Sequence, residues 1–286
     1  MTEKAEEKQY RCPGESYTIS DSVCRGRQRV NYPKCNVCLE KVEPGGFAQS
    51  HAEPKLSINI FKSYDIRGKY PSELNDTTAH KIGTSIALFF REKNPDVKNI
   101  VVGRDMRLSS KSLANALIEG LCTAGLNVIN VGVVSSEMTY FAVGHYKYDG
   151  GVMVTASHNP AEYNGFKLCR EQAIPVSFET GIDRISKLTK QYHPLRGEHL
   201  GKVMVSDIFA DYKKHVLKFA SNLRHLRVVI DAGNGMAGKT IPLVCEGLPI
   251  EIIPLYFELD GSFPNHEANP LKPENMVDLQ KKVRET

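Results

Sequence analysis

Ser157 lies in the run Gly151–Lys167, GVMVTASHNPAEYNGFK, next to an imidazole (His158) and a few positions before an ammonium (Lys167). Val152, Met153 and Val154 form a β-rich apolar lead into Thr155-Ala156-Ser157-His158-Asn159-Pro160. A strand that ends in a serine within a polar, turn-forming loop sets a hydroxyl at the exposed carboxyl edge of a sheet. Open α/β sheets place their chemistry at that edge. Pro160 lacks an N–H and fixes its φ, which stiffens the loop just after the serine. A hydroxyl held near an imidazole and an ammonium can carry a phosphoryl group. The cation stabilises charge, and a covalent intermediate divides one hard transfer into two easier ones. Ser-His-Asn by itself fits an ordinary surface strand–turn better; the length of the whole run favours the chemical reading.

The flanking pattern predicts the elements that position this serine. Asn99–Val102 reads as a buried strand ending at Gly103-Arg104-Asp105. A helix from about Lys111 to Ala124, capped by Ser109 or Ser110, puts Leu113, Leu117 and Leu121 on one face. Asn127–Val131 is the next strand, Ser136–His145 a second helix, and Gly151–Thr155 the strand that delivers Ser157. This alternation predicts a mostly parallel sheet with helices on both faces. Phe178–Leu188 is expected to be helical, and His193–Gly201 a connector. A helix over Ser206–Ala220 follows, then strands Arg227–Asp231 and Ile250–Leu255 around a Gly233-Asn234-Gly235 turn, and a last helix at Met276–Val283. The domain boundary is placed near Gly197–Val205.

At 286 residues the chain can bury a full core, and the length points to two domains. Hydrophobic and charged contents of 41% and 24% are those of a soluble globular protein. A net charge of +4 is too mild to argue for nucleic acid, and the Arg25, Arg27, Arg29 cluster fits a solvated turn. No apolar run approaches the roughly 18 residues of a membrane span. The N-terminus alternates charges where a signal peptide has an apolar core, so a cytoplasmic location is expected.

Of seven cysteines, Cys12, Cys24, Cys35 and Cys38 crowd into the first forty positions, in a segment rich in turn formers and poor in core residues. Four thiolates on a structural Zn²⁺ would hold such a segment as a small zinc-ribbon-like module. Cys35–Cys38 forms a C-x-x-C half-site, but Cys12 and Cys24 do not form a second knuckle, so free thiols remain an alternative. Cys122, Cys169 and Cys245 read as buried structural thiols.

Gly233–Thr240, GNGMAGKT, satisfies the phosphate-loop pattern G-x-x-x-x-G-K-T, which would make this a nucleotide-binding protein with Lys239 on the phosphates. Three features argue against that. Asp231 ends the preceding strand, Pro242 falls early in the following helix, and no later apolar strand ends in a metal-binding Asp. A Gly-rich strand-to-helix turn is the simpler reading.

The run around Ser157 resembles the phosphoserine loop of the α-D-phosphohexomutases, in the phosphomannomutase/phosphoglucomutase branch. There the serine of T-A-S-H-N-P is phosphorylated and the N-G-x-K lysine lies beside it. The similarity runs from about Ile60 to the last residue. Phe61–Gly68, FKSYDIRG, is similar to the family's F-x-x-Y-D-I-R-G, whose arginine lies near the phosphoserine. Val102–Arg107, VGRDMR, is similar to V-G-x-D-x-R, read as structural support for the active-site face. Glu137 stands where G-x-x-S/T-T-P usually has proline, and Glu suits a helix's first turn. Asp231–Gly238 resembles the opening D-x-G-N-G-x-x-G of domain two, and Asp260–His266 its D-G-x-F-P-x-H loop, with His266 a loop hydrogen-bonder.

The resemblance implies two tandem α/β domains with mostly parallel mixed sheets. They are expected at 56–197, with the phosphoserine loop, and at 205–286, behind the cysteine-rich segment 1–50. It implies a mutase interconverting hexose 1-phosphate and hexose 6-phosphate of mannose or glucose through a hexose bisphosphate. Ser157, Lys167 and His158 would be catalytic. Arg67, Tyr64 and Asn159 would bind phosphate or substrate, and Mg²⁺ would sit on the Ser157 phosphate. The family's Asp-rich D-G-D-x-D-R loop, which supplies the other metal ligands, does not occur in the sequence. An incomplete N-terminal fragment, inactive alone, is therefore expected. A non-catalytic zinc-bearing interaction module on a mutase scaffold is the alternative, and a phosphohexose is the only partner implied.

Overall fold

The computed structural model describes residues 9–10, 19–20, 58–194 and 200–286. The chain divides into two compact units, Met1–Glu53 and Pro54–Thr286. In the first, β1 (Gln9–Tyr10) pairs antiparallel with β2 (Ile19–Ser20). The expected zinc ligands Cys12, Cys24, Cys35 and Cys38 lie outside the described residues.

The second unit is built on a six-stranded sheet. Its strands are β3 (Ile66–Lys69), β4 (Asn99–Arg104), β5 (Asn127–Val133), β6 (Gly150–Val154), β7 (Tyr163–Arg170) and β8 (Val203–Val205), in the order β3-β7-β6-β4-β5-β8. β6, β4, β5 and β8 run parallel, while β7 is antiparallel to both β6 and β3. All five residues of β6 are buried, as a central parallel strand covered on both faces requires.

Side chains alternate across the sheet and divide the interior into two cores. Ile100, Val102, Val128, Val152, Val154 and Phe166 face helices α1 (Asp76–Lys93) and α2 (Ser110–Thr123). Val101, Ile129, Met153 and Cys169 face α3 (Ser136–Tyr146) and Ile208. Asn75 caps α1 by accepting from the Thr78 N–H at 2.9 Å. The periodic residues Ala79, Ile82, Ile86 and Phe89 then turn one stripe inward.

One expectation needs correction. Neither Ser109 nor Ser110 caps α2 with its side chain; both hydroxyls accept from Asn164 of β7, and that of Ser110 also donates to Asp105. The stretch Phe178–Leu188 is helical as expected, in two pieces: one wide turn, Phe178–Ile182, kinked at Gly181, and then α4 (Asp183–Lys190).

A second α/β unit follows with α5 (Phe209–Leu217), β9 (Leu226–Asp231), α6 (Ala237–Cys245), β10 (Ile250–Leu255) and α7 (Val277–Glu285). β9 and β10 pair in parallel from Leu226–Ile250 to Asp231–Leu255. Among the described residues no helix is long and apolar enough to cross a membrane.

Candidate active site

Ser157 lies just past the carboxyl end of β6 with its side chain exposed and its backbone at φ +52°. A left-handed backbone costs a non-glycine residue roughly 1–2 kcal/mol, so the surroundings must impose it. They do so from both sides of the serine. The Ser157 N–H donates to Thr155 Oγ1 at 2.9 Å, and that hydroxyl donates to Asp105 Oδ2 at 2.6 Å. Asn159 folds back on the Ala156 carbonyl through its N–H (3.0 Å) and its Nδ2 (2.7 Å).

The main restraint is Arg107. Its side chain is fully buried, and its two terminal nitrogens donate to the main-chain oxygens of Ser157 (2.9 Å), Asn159 (2.6 Å), Pro160 (2.7 Å) and Tyr163 (3.1 Å). Five donors in a planar fork can serve several carbonyls at once, which an ammonium cannot do with the same geometry. Arg107 Nε lies 3.3 Å from Asp105 Oδ2, within ion-pair range but off the hydrogen-bond line. Burial pulls the guanidinium below its usual pKa, and Asp105 pulls the other way. Asp105 Oδ1 accepts from the Arg107 N–H at 3.0 Å and from the Ser110 hydroxyl. Asn164 Nδ2 donates to Ser109 Oγ and Ser110 Oγ at 2.8 and 3.0 Å, which ties β7 into the same network.

The register of β3 and β7 places two further candidates. Arg67 pairs with Gly165, and Lys167 pairs with Met153 of β6. Lys167 thus shares a strand face with Gly165, which puts it diagonal to Arg67. A Cβ at Gly165 would come within 2.1 Å of the Ile66 carbonyl, so only glycine lets β3 approach this closely. Arg67 is partly exposed, and its Nε is 3.9 Å from Asp65 Oδ1. It lines an open cleft of about 530 Å³ with Lys62, Glu73, Asn159, Pro160 and Tyr163. Arg67 and Asn159 therefore meet there, at the flank of the Ser157 loop. Tyr64, 78% exposed, and His158 project outside that lining. Among the described residues no hydrogen bond or ion pair occupies the Lys167 ammonium or the His158 imidazole.

Lys62 is a second cleft cation that the sequence reading does not single out, although it stands inside FKSYDIRG. Lys239, the lysine of the phosphate-loop pattern, is engaged elsewhere. It donates to the Val133 carbonyl at 2.9 Å and lies 4.4 Å from the Phe209 ring centre, and burial lowers its pKa. Asp231 Oδ1 accepts from the Gly233 N–H at 2.8 Å, so a carboxylate fills the turn where phosphates would sit. His266 Nε2 bonds Asp231 Oδ2 at the end of β9 at 3.0 Å, and its Nδ1 meets the adjacent Glu267 carbonyl at 2.9 Å.

Among the described residues no three His, Cys, Asp or Glu side chains converge to hold a metal ion. The residues present do not make a metal site by themselves: Asp105 is consumed by Thr155, Ser110 and Arg107, and Glu162 lies 3.9 Å from the Lys69 ammonium.

Two family models match in tandem. Phosphoglucomutase/phosphomannomutase α/β/α domain I matches residues 59–195, and domain II matches 209–286. A phosphomannomutase of Vibrio cholerae is 40% identical over 235 residues, covering 80% of this chain and 51% of the relative. A Xanthomonas campestris protein named phosphohexose mutases is 41% identical over 232 residues with the same coverage. The crystal structure of a phosphoglucomutase/phosphomannomutase family protein from Burkholderia thailandensis superposes with a TM-score of 0.73 at 32% identity, over 81% of this chain and 51% of that one. The chain spans about half the length of the curated relatives it matches. With an exposed serine at the end of β6, a guanidinium holding its loop and these matches along both α/β domains, the chain belongs to the phosphoglucomutase/phosphomannomutase family.

Proposed function

We propose that the whole protein interconverts the 1- and 6-phosphates of a hexose, with Ser157 as the phosphoryl carrier. The observation that carries this reading is the immobilised, outward-facing Ser157, with its N–H and C=O both tied down while its hydroxyl faces solvent. In the first half-reaction the P–O bond to Ser157 Oγ breaks. A P–O bond to the free sugar hydroxyl forms, and that hydroxyl's proton passes to the released Ser157 oxygen. The resulting hexose bisphosphate turns over, and its other phosphoryl group returns to Ser157 by the reverse exchange.

Arg67 and Lys62 supply positive charge along the cleft for phosphate oxygens, with Arg67 able to bind bidentately. Asn159 offers the cleft wall adjoining the serine, and Tyr64 is exposed for contact with sugar. Lys167 and His158 are free to stabilise transferring charge or to move the hydroxyl proton. Membership of this family points to a divalent cation such as Mg²⁺, which would neutralise charge on the Ser157 phosphate when bound. Ser157 is the one ligand this chain is expected to contribute. Zn²⁺ on Cys12, Cys24, Cys35 and Cys38 remains part of the proposal for residues 1–50, testable by metal analysis of chelator-free protein and of Cys35→Ser.

The test is interconversion of mannose and glucose phosphates by a protein that supplies the other half of the relatives' length to this chain. Ser157→Ala in that protein is expected to abolish turnover with the fold intact. Turnover in the variant close to that of the parent would refute the proposal.

A further inference from the structure

The Gly233–Thr240 turn, which binds no phosphate in the reading above, instead secures a brace against the Ser157 loop. Asn234 is only 4% exposed and acts as its hub. Its N–H donates to the Tyr256 carbonyl at 2.8 Å, and its Nδ2 donates to the Glu258 carbonyl at 3.0 Å. Its own carbonyl accepts from the Asp260 N–H at 3.1 Å, and its Oδ1 accepts from Asn265 Nδ2 at 2.8 Å. The segment Tyr256–Asn265 is thus tied to Asn234 at four points, one of which, the Asp260 N–H, opens the loop Asp260–Phe263. Within that loop the Phe263 N–H donates to the Asp260 carbonyl at 3.1 Å.

The braced loop then reaches the other domain. Phe263 is 9% exposed, in a domain whose α5, β9, α6, β10 and α7 contain no buried residue. Its ring lies 4.9 Å from the Arg107 guanidinium carbon, and it holds φ +52° to do so. At Gly261 an added Cβ would come within 2.7 Å of both Arg107 Cα and Leu108 N, so the two main chains are in direct contact. A desolvated cation–π contact of this kind orients the guanidinium as well as attracting it.

We propose that the Asp260–Phe263 loop is a brace for the phosphoryl-carrying loop. Phe263 and Gly261 are then positioning residues that set Ser157 through Arg107 and its bonds to the Ser157, Asn159, Pro160 and Tyr163 carbonyls. Domain two thereby controls the rigidity of the nucleophile in domain one. The consequence for catalysis rests on the proposed mutase reading, whereas the mechanical coupling does not.

Hydrogen exchange on this 286-residue chain tests the coupling, read at the Ser157, Asn159 and Tyr163 amides against those of β4 and β5. Phe263→Ala is expected to speed exchange at those three amides by about tenfold with β4 and β5 unchanged. Phe263→Tyr, which keeps the ring face, is expected to restore protection, and Phe263→Leu, which keeps only apolar bulk, to restore it in part. Val229→Ala, which loosens β9 without touching the brace, is expected to leave the three amides within about twofold of the parent. Loop exchange in Phe263→Ala within about twofold of the parent overturns the brace, even if domain two itself has loosened. Equal exchange in Phe263→Tyr and Phe263→Ala overturns it too. Absence of phosphate from Ser157 would instead defeat the mutase reading and leave the coupling standing.

Discussion

Arg107 Nη2 donates to the Ser157 main-chain oxygen at 2.9 Å across fifty residues of sequence. The contact joins the end of β4 to the loop after β6, and Asp105, two residues before Arg107, reaches the same loop through Thr155. One buried ion pair therefore shapes both ends of the serine's backbone. Arg107→Ala leaves Asp105 buried without its cation and the loop carbonyls without donors. A stability loss of about 3–5 kcal/mol is expected in urea unfolding. Arg107→Lys keeps the charge but not the fork, and a loss of about 1–3 kcal/mol is expected.

The left-handed Ser157 backbone gives a second prediction. Ser157→Gly and Ser157→Ala both remove the hydroxyl, but only glycine adopts φ +52° freely. Thermal unfolding is expected to place the glycine variant about 1 kcal/mol above the alanine variant. Equal stabilities would show that the loop relaxes out of this conformation without cost.

Gly165→Ala is expected to separate β3 from β7, since the new Cβ would meet the Ile66 carbonyl at 2.1 Å. Backbone cannot yield as a flexible side chain can, so a loss of at least about 1–3 kcal/mol is expected. Arg67, directly across from Gly165, should move with β3. Weaker protection of inorganic phosphate against thermal unfolding would report that displacement.

The Asp231–His266 pair makes domain two pH-dependent. Burial lowers the His266 pKa, but the Glu267 carbonyl and Asp231 outweigh it, and the net shift is upward from 6.5. A raised folded pKa means the folded state holds the proton more tightly than the unfolded chain. The stabilisation is therefore complete below about 6.5 and is lost as pH rises through the folded value. The drop in melting temperature between pH 5.5 and 8 should be smaller in His266→Gln than in the parent.

The sequence makes some of this plain and hides the rest for physical reasons. Ile250–Leu255 is bounded where expected because its isoleucines stand between turn formers, although none of its residues is buried. β7 is less legible: Asn164-Gly165 looks like a turn, yet both residues lie inside a strand. Gly165 permits a close approach there, and Asn164 is buried on the Ser109 and Ser110 hydroxyls. α1 carries Thr84 and Ser85 on its buried side, which blurs its apolar stripe. VGRDMR can be read as support for the site, but only the folded chain brings four carbonyls from residues 157–163 within reach of one guanidinium.

The central claim is that Ser157 carries the phosphoryl group. Peptide mapping by mass spectrometry tests it most directly, after a protein that completes this chain has been incubated with hexose 1,6-bisphosphate. Phosphate on the peptide containing Ser157, localised to that residue and absent from Ser157→Ala, is the predicted result. Phosphate on Ser135 or Ser136, with Ser157 unmodified throughout, would contradict the account.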